Sequence, residues 1–187
     1  MSNRRLATVL VLVPLALPSA ALAHTRLAGE FMMTGRITAA QAVAGEHVGE
    51  TVTRTWTFLP TCPAGQCLTE ELVRARAVGT DATSLRRPKI SVLNYWTGEG
   101  SFFAPLICEA RVYPMGERVF FRIAVQITGT TLVAGAPVAT SVKASYDSYR
   151  RTNRTRCVYP AGHDAAVYTG TLVTPPTPQP APTPAPG

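Results

Sequence analysis

Histidine is scarce in this sequence, and so are the residue spacings that catalytic and metal sites use. The 187 residues contain three histidines, His24, His47 and His163, which lie far apart along the chain. No G-x-S-x-G turn is present, and no two of the four cysteines form a C-x-x-C pair. The sequence therefore predicts neither a hydrolase triad nor a cysteine-bound zinc site, and we assign no catalytic residues.

Long hydrophobic runs are also few. The run at residues 6–17 is shorter than the roughly 20 residues that a membrane-spanning helix needs. Two arginines precede it and the small-residue pattern Ala-Leu-Ala at 21–23 follows it, which is typical of a signal peptide. We expect residues 1–23 to be a signal peptide and the chain to be secreted or associated with the cell envelope, without spanning a membrane.

Lysine is nearly absent, because 16 of the 18 basic residues are arginine. The formal net charge is +7, and loss of the two arginines at 4 and 5 leaves +5 (7 − 2). Four arginines cluster at 150–156, where they indicate either a solvated loop or a contact for a polyanion. The chain has no basic run with interleaved aromatic residues, so no nucleic-acid partner is predicted.

Proline dominates the C-terminal residues 174–187, a composition that is typical of a disordered, extended tail. Residues 24–173 remain for one domain, and their number suffices for a single hydrophobic core. We therefore predict a single disulfide-bonded β domain between a signal peptide and a tail.

The four cysteines are expected to form disulfides, because an exported chain folds in an oxidising compartment. Cys62 and Cys67 follow a run of alternating residues and flank the turn-forming sequence PAGQ, which indicates a β-hairpin closed by a disulfide. By elimination, Cys108 pairs with Cys157.

The register of this hairpin follows if Cys62 lies directly opposite Cys67. Trp56 then lies opposite Val73 and Arg54 opposite Ala75, on one mostly apolar face. Glu71 would share this inward face, as a rim residue or a ligand contact.

Period-two alternation recurs along the rest of the chain, and no helical periodicity competes with it. It predicts strands at 27–38, 90–97, 106–113, 118–128, 142–146 and 167–173 besides the hairpin, with a turn at 114–117. The predicted fold is all-β, an antiparallel up-and-down barrel of about eight strands that is lipocalin-like, with a β-sandwich as the alternative. The barrel is favoured because no tryptophan lies between Cys108 and Cys157, as an immunoglobulin-type sandwich would require. Pairing of the last strand with the first would also cover both sheet edges.

The stretch RTWTFLPTCPAGQCLTEELVRA, with the later cysteine pair, resembles a group of uncharacterised secreted actinobacterial β domains. These domains carry a W-x-F-x-P-x-C-x(4)-C segment. The resemblance implies an extracellular context and no particular activity.

A binding site is predicted at the barrel mouth, lined by Arg54, Trp56, Trp96 and Tyr168. An inward cation beside aromatic side chains suits a small amphipathic ligand with an anionic end. The predicted function is thus a secreted, non-enzymatic domain without a cofactor that binds such a ligand or a cell-envelope component.

Two alternatives remain open at this point. Cleavage after residue 23 would leave His24 at the N-terminus, where its amine and imidazole could bind copper together with His47 or His163. The chain would then be a copper protein or a copper enzyme. The second alternative is a structural component of the envelope.

Overall fold

Eight antiparallel strands make up the domain. The structure is a computed structural model that describes residues 25–43, 45–62, 67–76, 79–88, 94–158 and 162–176. The predicted signal peptide, His24 and residues 177–187 of the predicted tail lie outside these described residues. Among the described residues there is no helix with the length and apolarity to cross a membrane. The strands are β1 (Gly29–Gln41), β2 (Thr51–Pro60), β3 (Thr69–Ala75), β4 (Thr80–Arg86), β5 (Tyr95–Cys108), β6 (Arg111–Val133), β7 (Ala136–Asn153) and β8 (His163–Thr174).

The strands form one closed barrel in which each pairs with its neighbours along the chain. β8 completes the ring by pairing antiparallel with β1, from Glu30 opposite Thr174 to Gln41 opposite His163. The predicted all-β, up-and-down barrel is therefore confirmed. The sandwich alternative does not describe this single continuous sheet.

Inward-facing side chains fill the barrel as the alternation predicted. The β6 stripe from Val119 to Ile127 is buried at every second residue, and so is the β1 stripe that includes Phe31 and Met33. The Phe31 ring meets the Phe58 ring edge to face at 5.3 Å between centroids. Close aromatic packing of this kind adds to the stabilisation from burial.

One end of the barrel is covered by the residues that precede β1. Thr25, Leu27 and Ala28 are fully buried, and Arg26 forms a parallel bridge with Val138. The backbone amide of Arg26 donates to Pro137 at 2.9 Å, and Arg26 accepts from Ala139 at 2.9 Å. This end is closed, so a ligand would have to enter from the other end.

The predicted register of the β2–β3 hairpin is wrong by one residue. Trp56 lies opposite Arg74, not Val73. The prediction assumed that the cysteines belong to the ladder, but β2 ends at Pro60 and β3 begins at Thr69, so the Cys62–Cys67 bridge lies outside it. A shift of one residue exchanges the two faces of a strand.

The strand boundaries around β5 also differ from the prediction. The turn lies at Glu109 and Ala110, which both have positive φ, as a two-residue hairpin turn requires. Residues 114–117 belong to β6. β5 continues through Gly98, where a Cβ atom would lie 2.7 Å from the Ser84 carbonyl oxygen, so this glycine permits close packing against β4 and does not end the strand.

Both predicted disulfides are present, Cys62–Cys67 and Cys108–Cys157. Their presence indicates an extracellular or otherwise oxidising environment.

The exchange of faces on β3 buries Glu70 and leaves Glu71 exposed, which contradicts the predicted inward position of Glu71. Glu70 is fully buried, and neither of its carboxylate oxygens has a hydrogen-bond partner among the described residues. Burial raises the pKa of Glu70 from its ordinary value of 4.5 to about 8, against the opposing effect of Arg26.

Glu70 should make the domain less stable as the pH rises. Between the two pKa values the unfolded chain releases a proton that the folded chain keeps, so the free energy of unfolding falls by up to about 1.4 kcal/mol per pH unit between about pH 5 and 8. Urea unfolding across this range measures the slope. Glu70→Gln should remove most of it, whereas Glu71→Gln, on the outer face, should retain it. An unchanged slope in Glu70→Gln would contradict this assignment.

Candidate ligand-binding cavity

A cavity of about 460 Å³ opens at the end of the barrel opposite the N-terminal segment. The β1–β2, β3–β4, β5–β6 and β7–β8 connections surround its mouth, because alternate connections of an up-and-down barrel lie at the same end. Two other depressions, of about 580 and 630 Å³, lie mainly on outward-facing residues of the barrel wall. Only the mouth cavity is walled mainly by inward-facing side chains, among them Arg54, Trp56, Arg74, Arg76, Phe102, Tyr146, Arg151, Asp164 and Tyr168.

The floor of the cavity is aromatic. The Trp56 and Tyr168 rings lie 5.1 Å apart between centroids. The Tyr168 ring covers Gly35, where a Cβ atom would lie 2.2 Å from the ring, so only glycine leaves room for it. Burial raises the pKa of Tyr168, and its hydroxyl therefore stays neutral and available as a hydrogen-bond donor.

One side of the cavity holds two arginines that share one carboxylate. Arg74 donates from Nε and Nη2 to the two oxygens of Asp81, at 2.8 and 2.9 Å. Its guanidinium also lies 4.1 Å from the centroid of the Phe121 ring. Arg76 Nε lies 3.0 Å from Asp81 Oδ2, but the angle is not that of a hydrogen bond. Paired charges and ring stacking allow these cations to be buried.

The opposite side carries a second ionic network. Arg151 Nη1 donates to Glu117 Oε2 at 2.7 Å, and Arg151 Nη2 donates to Asp164. Asp164 also accepts from the Ser148 hydroxyl. The pKa of Tyr146 is raised, first by burial and then by Asp164. This network connects β6, β7 and β8 at the mouth and fixes the charges of this wall.

Arg54 differs from the other cavity arginines in its lack of an ion pair with a described carboxylate. It is half-buried and donates from Nη1 to the Thr53 carbonyl at 3.0 Å. Among the described residues, no carboxylate forms an ion pair with it. The nearby carboxyl of Glu46 has a raised pKa, because burial and Asp164 outweigh the effect of Arg151 and Arg54. A cavity arginine without an ion-pair partner can offer its donors to an anion.

No family model, curated protein or solved structure was found to match this chain. The resemblance to secreted actinobacterial β domains stays a prediction. Function must therefore be inferred from the geometry of the cavity and of the surface around it.

Three of the four predicted site residues meet in this cavity. Arg54, Trp56 and Tyr168 line it. Trp96 does not; it is fully buried near the start of β5, toward the closed end. Trp96 is the second residue of β5, which begins at the end of the barrel away from the mouth.

The residues proposed for copper are not brought together by the described structure. His24 lies outside the described residues. His163 Nε2 lies 2.8 Å from Asp147 Oδ1 in a half-exposed pair, and His47 is exposed. Within the described ranges, no group of three or more His, Cys, Asp or Glu side chains is placed to hold a metal ion. The copper site therefore stays a prediction, because the described residues do not form it.

Arg74, Arg76 and Asp81 were not predicted as cavity residues from the sequence. The wrong register turned Arg74 outward, and β4 was not predicted at all. The available signal was the alternation of Asp81, Thr83 and Leu85, which puts Asp81 on the same inward face as Leu85. A buried carboxylate needs a cation as its partner, so a second inward charge could have been expected.

Proposed function

We propose that this protein is an exported, non-enzymatic binding domain whose barrel cavity holds a small molecule with an apolar body and an anionic end. The observation that carries the proposal is Arg54, a half-buried arginine on the cavity wall without an ion-pair partner among the described residues. The two disulfides support an oxidising destination, and residues 1–23 have the pattern of an export signal.

The size and lining of the cavity support a small ligand. Its volume of about 460 Å³ lies within the range of about 300–1,000 Å³ that is typical of small-molecule sites. The Trp56–Tyr168 floor provides contact area for an apolar body. The anionic end would then lie toward the mouth, beside Arg54.

Arg54 should discriminate an anionic ligand from a neutral one of the same length. Decanoate and decanol are suitable probes, and the fluorescence of Trp56 in the cavity floor should report on both. In Arg54→Ala the Kd for decanoate should rise by about tenfold or more, since a hydrogen bond to a charged group contributes about 1.5–3 kcal/mol. The Kd for decanol should not change.

The matched control is Arg36→Ala, which removes an exposed arginine from the outer face of β1 and should leave both Kd values unchanged. Fluorescence that does not saturate with either probe would reject the cavity as a ligand site. Equal weakening of decanoate and decanol would reject the role of Arg54.

A further inference from the structure

Exposed apolar side chains are concentrated at the end of the β5–β6 hairpin, residues 104–117, which we call the tip. Ile107, Val112 and Met115 are 55%, 58% and 60% exposed. Ile107 and Val112 are ladder partners and lie side by side. Val158 is fully exposed and follows Cys157, whose disulfide with Cys108 places it close to the tip. A cluster of large, solvent-exposed apolar side chains usually marks an interaction surface.

A disulfide and a backbone hydrogen bond connect the tip to the rest of the domain. The Cys108–Cys157 disulfide joins it to the segment after β7, with 6.3 Å between the Cα atoms. The backbone amide of Arg154 donates to the Gly116 carbonyl at 2.8 Å. These links attach the tip to the segment that follows β7.

Four arginines lie on or beside the tip. Arg111, Arg118, Arg154 and Arg156 are exposed, and none forms an ion pair with a described carboxylate. Arg154 and Arg118 lie over the Phe103 ring, at 4.8 and 6.0 Å from its centroid.

Little negative charge opposes these arginines at the tip. Glu117 is turned inward to Arg151, so Glu109 is the one exposed acid among the described residues of the tip. The predicted cluster at 150–156 is thus divided: Arg151 belongs to the cavity, while Arg150 stacks outside on Phe120 at 3.9 Å.

We infer that the tip docks on an anionic lipid surface. The arginines attract anionic headgroups, and the exposed apolar side chains at the same end of the hairpin gain free energy by entering the headgroup boundary. A soluble polyanion would use the arginines but would leave Ile107, Val112 and Met115 in water. A lipid surface is therefore the partner that uses both parts of the tip.

Docking would also orient the cavity. Ile107 and Val112 line the mouth as well as the tip, so insertion of the tip would turn the mouth toward the lipid. The inference does not depend on the proposed ligand site, because the tip surface exists whether or not the cavity is occupied.

Sedimentation with vesicles tests the inference, and it uses the protein purified from the culture in its secreted form. The protein should bind vesicles of phosphatidylglycerol and phosphatidylcholine in equal parts, should bind phosphatidylcholine alone far more weakly, and should dissociate at high salt. Ile107→Ser with Met115→Ser should weaken binding by about tenfold, because insertion depends on buried apolar area. Arg111→Ser with Arg154→Ser should weaken it by at least about tenfold, since each surface cation contributes about 1 kcal/mol.

Leu132→Ser is the control for the apolar change, because Leu132 is 71% exposed at the opposite end of the barrel. It should bind vesicles like the unmodified protein. Arg54→Ala should also keep vesicle binding, and Arg111→Ser with Arg154→Ser, which leaves the cavity lining unchanged, should keep decanoate binding. These two results separate this inference from the proposed ligand site. If the Arg111 and Arg154 variant lost vesicle binding while the Ile107 and Met115 variant bound vesicles fully, lipid docking would be overturned in favour of a polyanion contact. Absence of binding to the mixed vesicles would overturn it outright.

Discussion

Asp81→Asn should lower the free energy of unfolding by about 3–5 kcal/mol, the usual cost of removing one partner from a buried ion pair. Asp81 accepts two hydrogen bonds from Arg74 and lies 3.0 Å from Arg76. The side chains of Arg74 and Asp81 are only 7% and 5% exposed, so water cannot replace the lost carboxylate. Urea unfolding measures the change as a lower midpoint with an unchanged m-value.

Asp147→Asn is the matched control. Asp147 pairs with His163 at 2.8 Å, but both side chains are nearly half-exposed, and exposed pairs contribute about 0–1 kcal/mol. The two variants should therefore differ severalfold in their effect. A loss below about 1 kcal/mol in Asp81→Asn would show that Arg74 and Arg76 find other partners or reach water.

Removal of the Cys108–Cys157 disulfide should be about as damaging. In the chain-entropy model, a bridge with a sequence separation of 49 contributes about 4 kcal/mol. The Cys62–Cys67 bridge has a separation of 5 and should contribute about 2 kcal/mol in the same model. Paired cysteine-to-serine variants, compared by urea unfolding, measure both values.

The comparison is decided by which of the two disulfides contributes more to the free energy of unfolding. An equal or greater loss on removing Cys62–Cys67 would show that the short bridge stabilises the native state directly, beyond its effect on the unfolded chain. Cys67 is nearly fully buried. Cys62→Ser alone breaks the bridge but keeps the Cys67 side chain, so its comparison with the paired variant separates the packing contribution from that of the bridge.

Alternation predicted those parts of the fold that depend on one strand at a time. The inward stripe of β6 and the inward positions of Arg54, Trp56 and Tyr168 follow from it. Each requires only that inward residues recur with period two.

The failures concern relations between strands. Register is the pairing of residues between two neighbouring strands. The Cys62–Cys67 bridge lies beyond the paired residues of β2 and β3, so alignment of the strands on this bridge gave the wrong register. β4 was not predicted because two of its inward residues, Asp81 and Thr83, are polar. The partners of Asp81, Arg74 and Arg76, lie outside β4. The turn at Glu109 and Ala110 lacks glycine, asparagine and proline, so no local signal marks it.

The order of strands around the barrel governs how the chain can fold as it is made. Every strand pairs with the one before it, so hairpins can form successively from the N-terminus with short loops to close. The exception is β1, whose second edge is covered only by β8. Until residues 163–174 are available, a growing sheet presents two open edges, and open edges template association with other chains. The final 12-residue strand thus covers both open edges of the sheet at once.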